Sequence, residues 1–127
     1  DTNNARPVKL RMDPTPVSIY ADPLIERVFV NLVDNAIRHG EKVSEIRVSF
    51  VESDHSGTII FEDNGTGISA AQKTRIFAKG SGKTTGFGLF LSKEILGYHD
   101  ISIKETGEPG LGARFEIEVP RGRYKVG

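Results

Sequence analysis

Asp22-Pro23, then Leu24, Ile25, Val28, Phe29, Leu32, Val33, Ala36 and Ile37, then Gly40, commit this chain to one long amphipathic helix. The Asp side chain caps the first turn, Pro sits where its missing N–H costs nothing, and Gly ends the run. The apolar residues fall at helical period in a stripe two residues wide, so one face must be covered by something else.

The cover is written in the flanking segments. Val8–Met12 and Val17–Ala21 alternate around Asp13-Pro14-Thr15-Pro16 and predict a first pair of strands. Ser44–Glu52 and Thr58–Glu62 predict a hairpin through residues 53–57, and Ile101–Glu105 with Ala113–Val119 predict another around Gly107-Glu108-Pro109-Gly110. Phe87–Tyr98 returns to helical spacing. Asn64 to Thr85 is a long loop rich in Gly, Ser, Thr and Lys, with a short helical stretch around Ala70–Phe77. Helices interspersed with hairpins predict a layer of helices over one face of a mixed sheet.

At 127 residues the chain holds one compact domain. Lys plus Arg equals Asp plus Glu at 17 each, which argues against a nucleic-acid or membrane partner recognised by bulk charge. The absence of cysteine excludes disulfides, thiolate metal sites and Cys nucleophiles. No apolar run approaches the ~20 residues of a membrane span. The first residue is Asp1 rather than Met, which hints at a piece of a longer protein, and the polar, Pro-ended residues 1–7 read as a linker end.

Three features carry possible chemistry. On the long helix Asn31, Asn35 and Arg38 fall within an arc of roughly 60° along one edge of the apolar stripe. A solvated flank explains them, as does a set of amide oxygens for a hard cation with a guanidinium beside it for an anion. Asp63-Asn64-Gly65-Thr66-Gly67-Ile68 ends a strand. It reads as a tight turn, or as a place where glycine backbone approaches a flat ligand while a carboxylate accepts a hydrogen from adenine's amine. Gly86-Phe87-Gly88-Leu89 opens the second helix, whose first N–H groups suit phosphate oxygens, and Lys79 and Lys83 are either solvated loop charges or phosphate contacts. Gly82-Lys83-Thr84 looks like the end of a P-loop, but the glycine that pattern needs five residues earlier is Phe77.

Taken in order, Asn31-Leu32-Val33-Asp34-Asn35-Ala36-Ile37-Arg38-His39, Asp63-Asn64-Gly65-Thr66-Gly67-Ile68, Ile76-Phe77 and Gly86-Phe87-Gly88-Leu89 resemble the N, G1, F and G2 boxes of histidine kinases. The resemblance runs from about Val8 to Pro120, including Ser92-Lys93-Glu94-Ile95 and Gly112-Ala113-Arg114-Phe115. It implies the Bergerat-type ATP-binding fold shared with DNA gyrase B and MutL: an α+β two-layer sandwich, with a mixed, mostly antiparallel five-stranded sheet and about three helices on one face. The implied divisions are a linker end at 1–7 from an upstream dimerisation and phosphoacceptor domain, the ATP-binding catalytic domain at 8–120, and a C-terminal tail at 121–127.

The resemblance also implies roles. Asn35 matches the Mg²⁺ ligand, Asn31 a polar contact beside it and Arg38 a phosphate contact, the three forming the catalytic set. His39 stands where the kinases often carry a Tyr near adenine. Asp63 matches the adenine-reading carboxylate, Gly65 and Gly67 the close-approach positions, and Ile68 and Phe77 further nucleotide contacts. Residues 69–85 match the lid, with Lys83, Thr84 and Thr85 on the nucleotide, and Gly86, Phe87, Gly88 and Leu89 match its phosphate-facing helix start. The lid is short, Phe87 and Phe90 replace smaller or aliphatic residues, and the second Phe of the F box is missing.

The ATP-hydrolysing relatives place Glu, a general base for water, one turn before the Mg²⁺ Asn; here that residue is Asn31, which cannot serve as a base. Of the three histidines, His39, His55 and His99, none lies in the acceptor pattern of the kinases. The implied function is the ATP-binding catalytic domain of a two-component sensor histidine kinase. With ATP and Mg²⁺, it phosphorylates a histidine on a separate dimerisation domain that then serves a response regulator. An anti-sigma-type serine kinase and a non-catalytic ATP-binding relative are the alternatives. The expected domain is monomeric and cytoplasmic without direct membrane contact, within a homodimeric parent that is free to be membrane-anchored.

Overall fold

The computed structural model describes residues 9–12, 17–19, 25–39, 43–78 and 88–126. Its elements in chain order are β1 Lys9–Met12, β2 Val17–Ile19, α1 Ile25–His39, β3 Glu45–Glu52, β4 Ser56–Asp63, α2 Ala70–Lys73, α3 Gly88–Gly97, β5 Ser102–Glu105, β6 Arg114–Pro120 and β7 Tyr124–Val126. Five strands form one sheet in the order β1-β3-β4-β6-β5, with β1 parallel to β3 and the other neighbours antiparallel. The mixed, mostly antiparallel five-stranded sheet expected from the sequence is therefore present. Among the described residues no helix is long and apolar enough to cross a membrane.

The first two strands do not pair with each other. β1 adds to β3, whereas β2 pairs antiparallel with β7 in a separate two-stranded ribbon, so residues 121–127 contribute a strand. Alternation marks a segment as strand; it leaves the partner open, and here distant segments supply it. β4 begins at Ser56 rather than Thr58, because Ser56 and Gly57 pair with Pro120 and Val119 of β6, and Gly57 passes beneath two rings. A Cβ there would lie 2.4 Å from Phe50 Cζ and 3.1 Å from Tyr124 Cζ. Tyr124 packs edge-on against Phe50, with centroids 5.5 Å apart, and donates its hydroxyl hydrogen to Glu52 Oε2 at 2.8 Å. That bond raises the Tyr124 phenol above its ordinary pKa.

The core lies between one sheet face and the two long helices. Val28, Leu32 and Ala36 of α1 and Leu96 of α3 meet Ile46, Ile59, Phe61, Ile103, Phe115, Ile117 and Val119 from the strands. Ile59 and Phe61 alternate with Thr58 and Glu62, so the helix-covered face takes every second residue of β4, ending in Asp63. The other face carries Ile60 and Val51 among mostly polar residues, where Arg114 bonds Glu62 at 3.4 Å and Glu116 at 3.2 Å.

α2 starts in a capping box, Gln72 N–H to Ser69 Oγ at 3.2 Å and Ser69 N–H to Gln72 Oε1 at 3.4 Å. α3 ends in a Schellman turn, with Ile101 N–H to Leu96 O at 3.0 Å and Asp100 N–H to Gly97 O at 3.2 Å. Asp100 occupies the left-handed position of that turn, φ 60°, where glycine is usual. Asp100→Gly should therefore raise stability by about 0.5–1 kcal/mol, read as a higher urea midpoint at unchanged slope.

Candidate nucleotide site

The candidate residues come from three places on the helix-covered side of the sheet. Asn31 and Asn35 lie on one edge of α1, both half-buried. Asn31 Nδ2 donates to Ser92 Oγ at 3.2 Å, and Ser92 is 0% exposed, so this amide joins the two helices. The side-chain amide of Asn35, one turn on, has no hydrogen-bond partner among the described residues. Arg38 and His39 are placed by their backbone in the last turn of α1, and their side chains lie outside what is described.

Asp63 ends β4 opposite Ile46, which is buried under α1. Its carboxylate is fixed: Oδ1 accepts the backbone hydrogens of Gly65 at 2.9 Å and Ala113 at 3.2 Å. The Asp63 N–H donates to Ala113 O at 3.0 Å, so the residue is tied to β6 by backbone as well. Oδ2 has no partner among the described residues. A carboxylate with one oxygen saturated and the other open presents a single acceptor in a set direction, which suits a donor such as an exocyclic amine.

Four neighbours that the sequence reading gave no role complete this corner. Asn64 Oδ1 accepts from the N–H groups of Ser44 at 2.9 Å and Glu45 at 3.1 Å, strapping the end of β4 to the start of β3. Gly112 is needed where it is: with φ 115°, its Cβ would lie 2.0 Å from the Asp63 carbonyl oxygen. Ala113 supplies the backbone clamp on the carboxylate, and Glu105 anchors the loop behind it. The signals for these in the sequence were Asn64 inside the Asp63–Ile68 motif and Gly112-Ala113 inside the closing motif, and spacing does not reveal what a backbone N–H will meet.

Gly65 is buried and donates to Asp63, while Gly67, φ 78°, lies against the 108–112 loop: a Cβ there would stand 3.0 Å from both Glu108 O and Gly112 O. Gly67 thus makes a close approach, to the protein's own loop, while Gly65 is marked by its bond to Asp63. Ile68 and Leu89 pack on the core. Phe77 meets Phe115 edge-on at 6.3 Å, with Lys93 Nζ 5.4 Å from its ring centroid, which makes it an anchor between the segment after α2 and α3. Gly88 opens α3, while Lys83, Thr84, Thr85, Gly86 and Phe87 lie outside the described residues.

A hollow of about 370 Å³ opens beside Asp63 and is lined by Glu62, Glu108, Leu111 and Arg114 among others. α1 contributes nothing to it. It is therefore not the pocket expected between the α1 amides and Asp63.

The comparisons with known proteins point the same way as these motifs. Alginate biosynthesis sensor protein KinB of Pseudomonas aeruginosa is 38% identical over 104 residues, 76% of this chain and 17% of the relative, so the chain spans less than a fifth of that protein's length. The full-length ShkA structure in complex with AMPPNP superposes with a TM-score of 0.75 at 21% identity, over 90% of this chain and 25% of that one. The ATP-binding domain of PrrB from Mycobacterium tuberculosis superposes with a TM-score of 0.73 at 24% identity, over 89% of this chain and 79% of that one. With a family model matching residues 21–123, this chain belongs to the histidine kinase-, DNA gyrase B- and HSP90-like ATPase family.

Proposed function

We propose that the chain is the ATP-binding catalytic domain of a sensor histidine kinase. It holds Mg²⁺·ATP for transfer of the γ-phosphoryl group to a histidine on a separate dimerisation domain. The observation that carries this reading is the Asp63 carboxylate, locked through Oδ1 by Gly65 and Ala113 and open at Oδ2. Adenine's amine would donate to that oxygen; guanine offers an acceptor at the same place and would leave it facing a lone pair. The Asn35 amide oxygen would hold Mg²⁺, which shares few protein oxygens with substrate phosphates and supplies charge neutralisation there. Arg38 would meet the phosphates from the same edge of α1, with Lys83, Thr84, Thr85, Gly86 and Phe87 closing over them and Gly88 and Leu89 beneath.

Asn31 decides what happens to the bound nucleotide. An amide hydrogen-bonded to Ser92 cannot take a proton from water, so the site would hold ATP without consuming it. Transfer then requires an incoming imidazole nitrogen. It attacks the γ-phosphorus as the bond to the bridging oxygen breaks and ADP departs, and positioning supplies most of the acceleration. We read the parent as carrying this acceptor on a dimerisation domain and passing the phosphoryl group to a response regulator, with the present domain in the cytoplasm; the likeness to a sensor protein supports a signalling parent.

His55 lies in the β3–β4 turn and His99 in the turn after α3, neither of them on a helix that could dock as an acceptor. The chain alone should bind ATP and ADP with dissociation constants on the order of micromolar to millimolar, and retain no radiolabel from γ-labelled ATP after denaturation. Label retained on the isolated chain would rule out a separate acceptor; no binding by calorimetry would rule out the nucleotide site.

A further inference from the structure

The Glu105 carboxylate stands behind the candidate site without touching the Asp63 carboxylate, and its side chain is only 1% exposed. In β5 the inward positions run Ile103, Glu105, with Glu105 opposite the buried Phe115, so an aliphatic residue would suit the place. A carboxylate withdrawn from water there must be repaid by partners. Lys73 of α2 supplies the charge, donating to Glu105 Oε1 and, at 2.6 Å, to Gly107 O. Glu105 Oε2 accepts the N–H groups of Gly107 and Arg114, both at 3.1 Å.

Those two N–H groups are the two ends of the loop that holds Asp63. Between them, Gly110 N–H donates to Thr66 O at 2.6 Å, Gly112 abuts the Asp63 carbonyl, and Ala113 N–H holds Oδ1. Lys73 lies on the helix into which the Asp63–Ile68 segment runs. The contacts therefore close a ring: along the chain from Asp63 to Lys73, across the ion pair to Glu105, and through Gly107–Ala113 back to Asp63. Within such a ring the direction of the Asp63 carboxylate depends on a pair whose members do not touch it.

We propose that Lys73 and Glu105 are a positioning pair for the base-reading carboxylate, setting adenine selectivity; this rests on the nucleotide reading of Asp63 given above. A buried ion pair adds little net stability over apolar residues of similar shape, so a role in stability alone would not account for it.

The test is equilibrium binding of ADP and of IDP, whose base carries an oxygen in place of adenine's amine, to the whole chain. The wild-type chain is expected to prefer ADP by about tenfold or more. In Lys73→Met/Glu105→Val, which removes both charges together and leaves the Gly107 and Arg114 N–H groups without their acceptor, the melting temperature should fall only modestly while the ADP preference falls by about tenfold. Cooperative melting with the preference intact would overturn the proposal. Should that variant not melt cooperatively, Glu105→Gln decides. It keeps the shape and an acceptor for Gly107 and Arg114 but removes the charge Lys73 needs, and should reduce the preference about threefold or more. An unchanged ratio there overturns the proposal too. A wild-type chain that binds ADP and IDP alike would overturn the reading of Asp63 itself, a result visible before any substitution is made.

Discussion

Gly112→Ala should remove nucleotide binding while Gly110→Ala leaves it in place. Both glycines have positive φ, 115° and 89°, so alanine meets backbone strain at either position. What differs is the surroundings: a Cβ at 110 meets nothing within 4 Å, whereas at 112 it would lie 2.0 Å from the Asp63 carbonyl oxygen and 3.3 Å from Asn64 Cα. Backbone cannot swing aside as a flexible side chain can, so β4 and the 107–113 loop must separate. That movement breaks the Asp63 N–H to Ala113 O bond and the Ala113 N–H to Oδ1 bond together. Strain and overpacking of this kind cost about 2–4 kcal/mol, or roughly 30-fold to 1,000-fold in ADP affinity if it falls on the site. Calorimetric titration of the two variants with ADP, beside their thermal melts, separates the contact from the dihedral. Equal losses in both would mean that the loop acts through its conformation and not through its approach to Asp63.

Asp63→Asn should keep the fold and lose the base. The amide oxygen of Asn can accept from Gly65 and Ala113 as Oδ1 does, which turns the NH₂ group to where Oδ2 stood. A donor then faces adenine's amine, also a donor, and one hydrogen bond becomes a repulsion at a half-buried position. The expected loss is about 1–3 kcal/mol, roughly 5-fold to 150-fold in ADP affinity, with a melting temperature close to that of the parent chain. The same reversal should favour a base with an acceptor at that place, so the ADP-to-IDP ratio should fall further than ADP binding alone. An unchanged ADP affinity would remove Asp63 from the base contact.

Both experiments turn on a corner of the molecule that was only half legible beforehand. Asp63-Asn64-Gly65-Thr66-Gly67 announced a carboxylate beside close-approach glycines, because residue types at short spacing encode local backbone freedom. It did not say that Ala113, fifty residues on, would hold that carboxylate, or that Gly67 would approach its own protein's loop. Lys73 likewise fell, without a role, in the short helical stretch predicted at Ala70–Phe77, and Glu105 at the end of a strand. Neither suggested a buried pair, since nothing local distinguishes a lysine that will meet a carboxylate from one that will meet water.

What the sequence determined by itself is what the chain does with its nearest neighbours. The period of α1, the capping box at Ser69, the alternation of β3 to β6 and an amide in place of a base at Asn31 all follow from residues a few positions apart, where the backbone leaves few choices. Tertiary structure alone decided the partners: β1 against β3, β2 against β7, Asn31 against Ser92, and the ring through Lys73 and Glu105 that fixes Asp63. Those contacts join segments far apart along the chain. Their ordering cost is met only when the shared apolar core between helices and sheet has formed, so no local pattern could specify them.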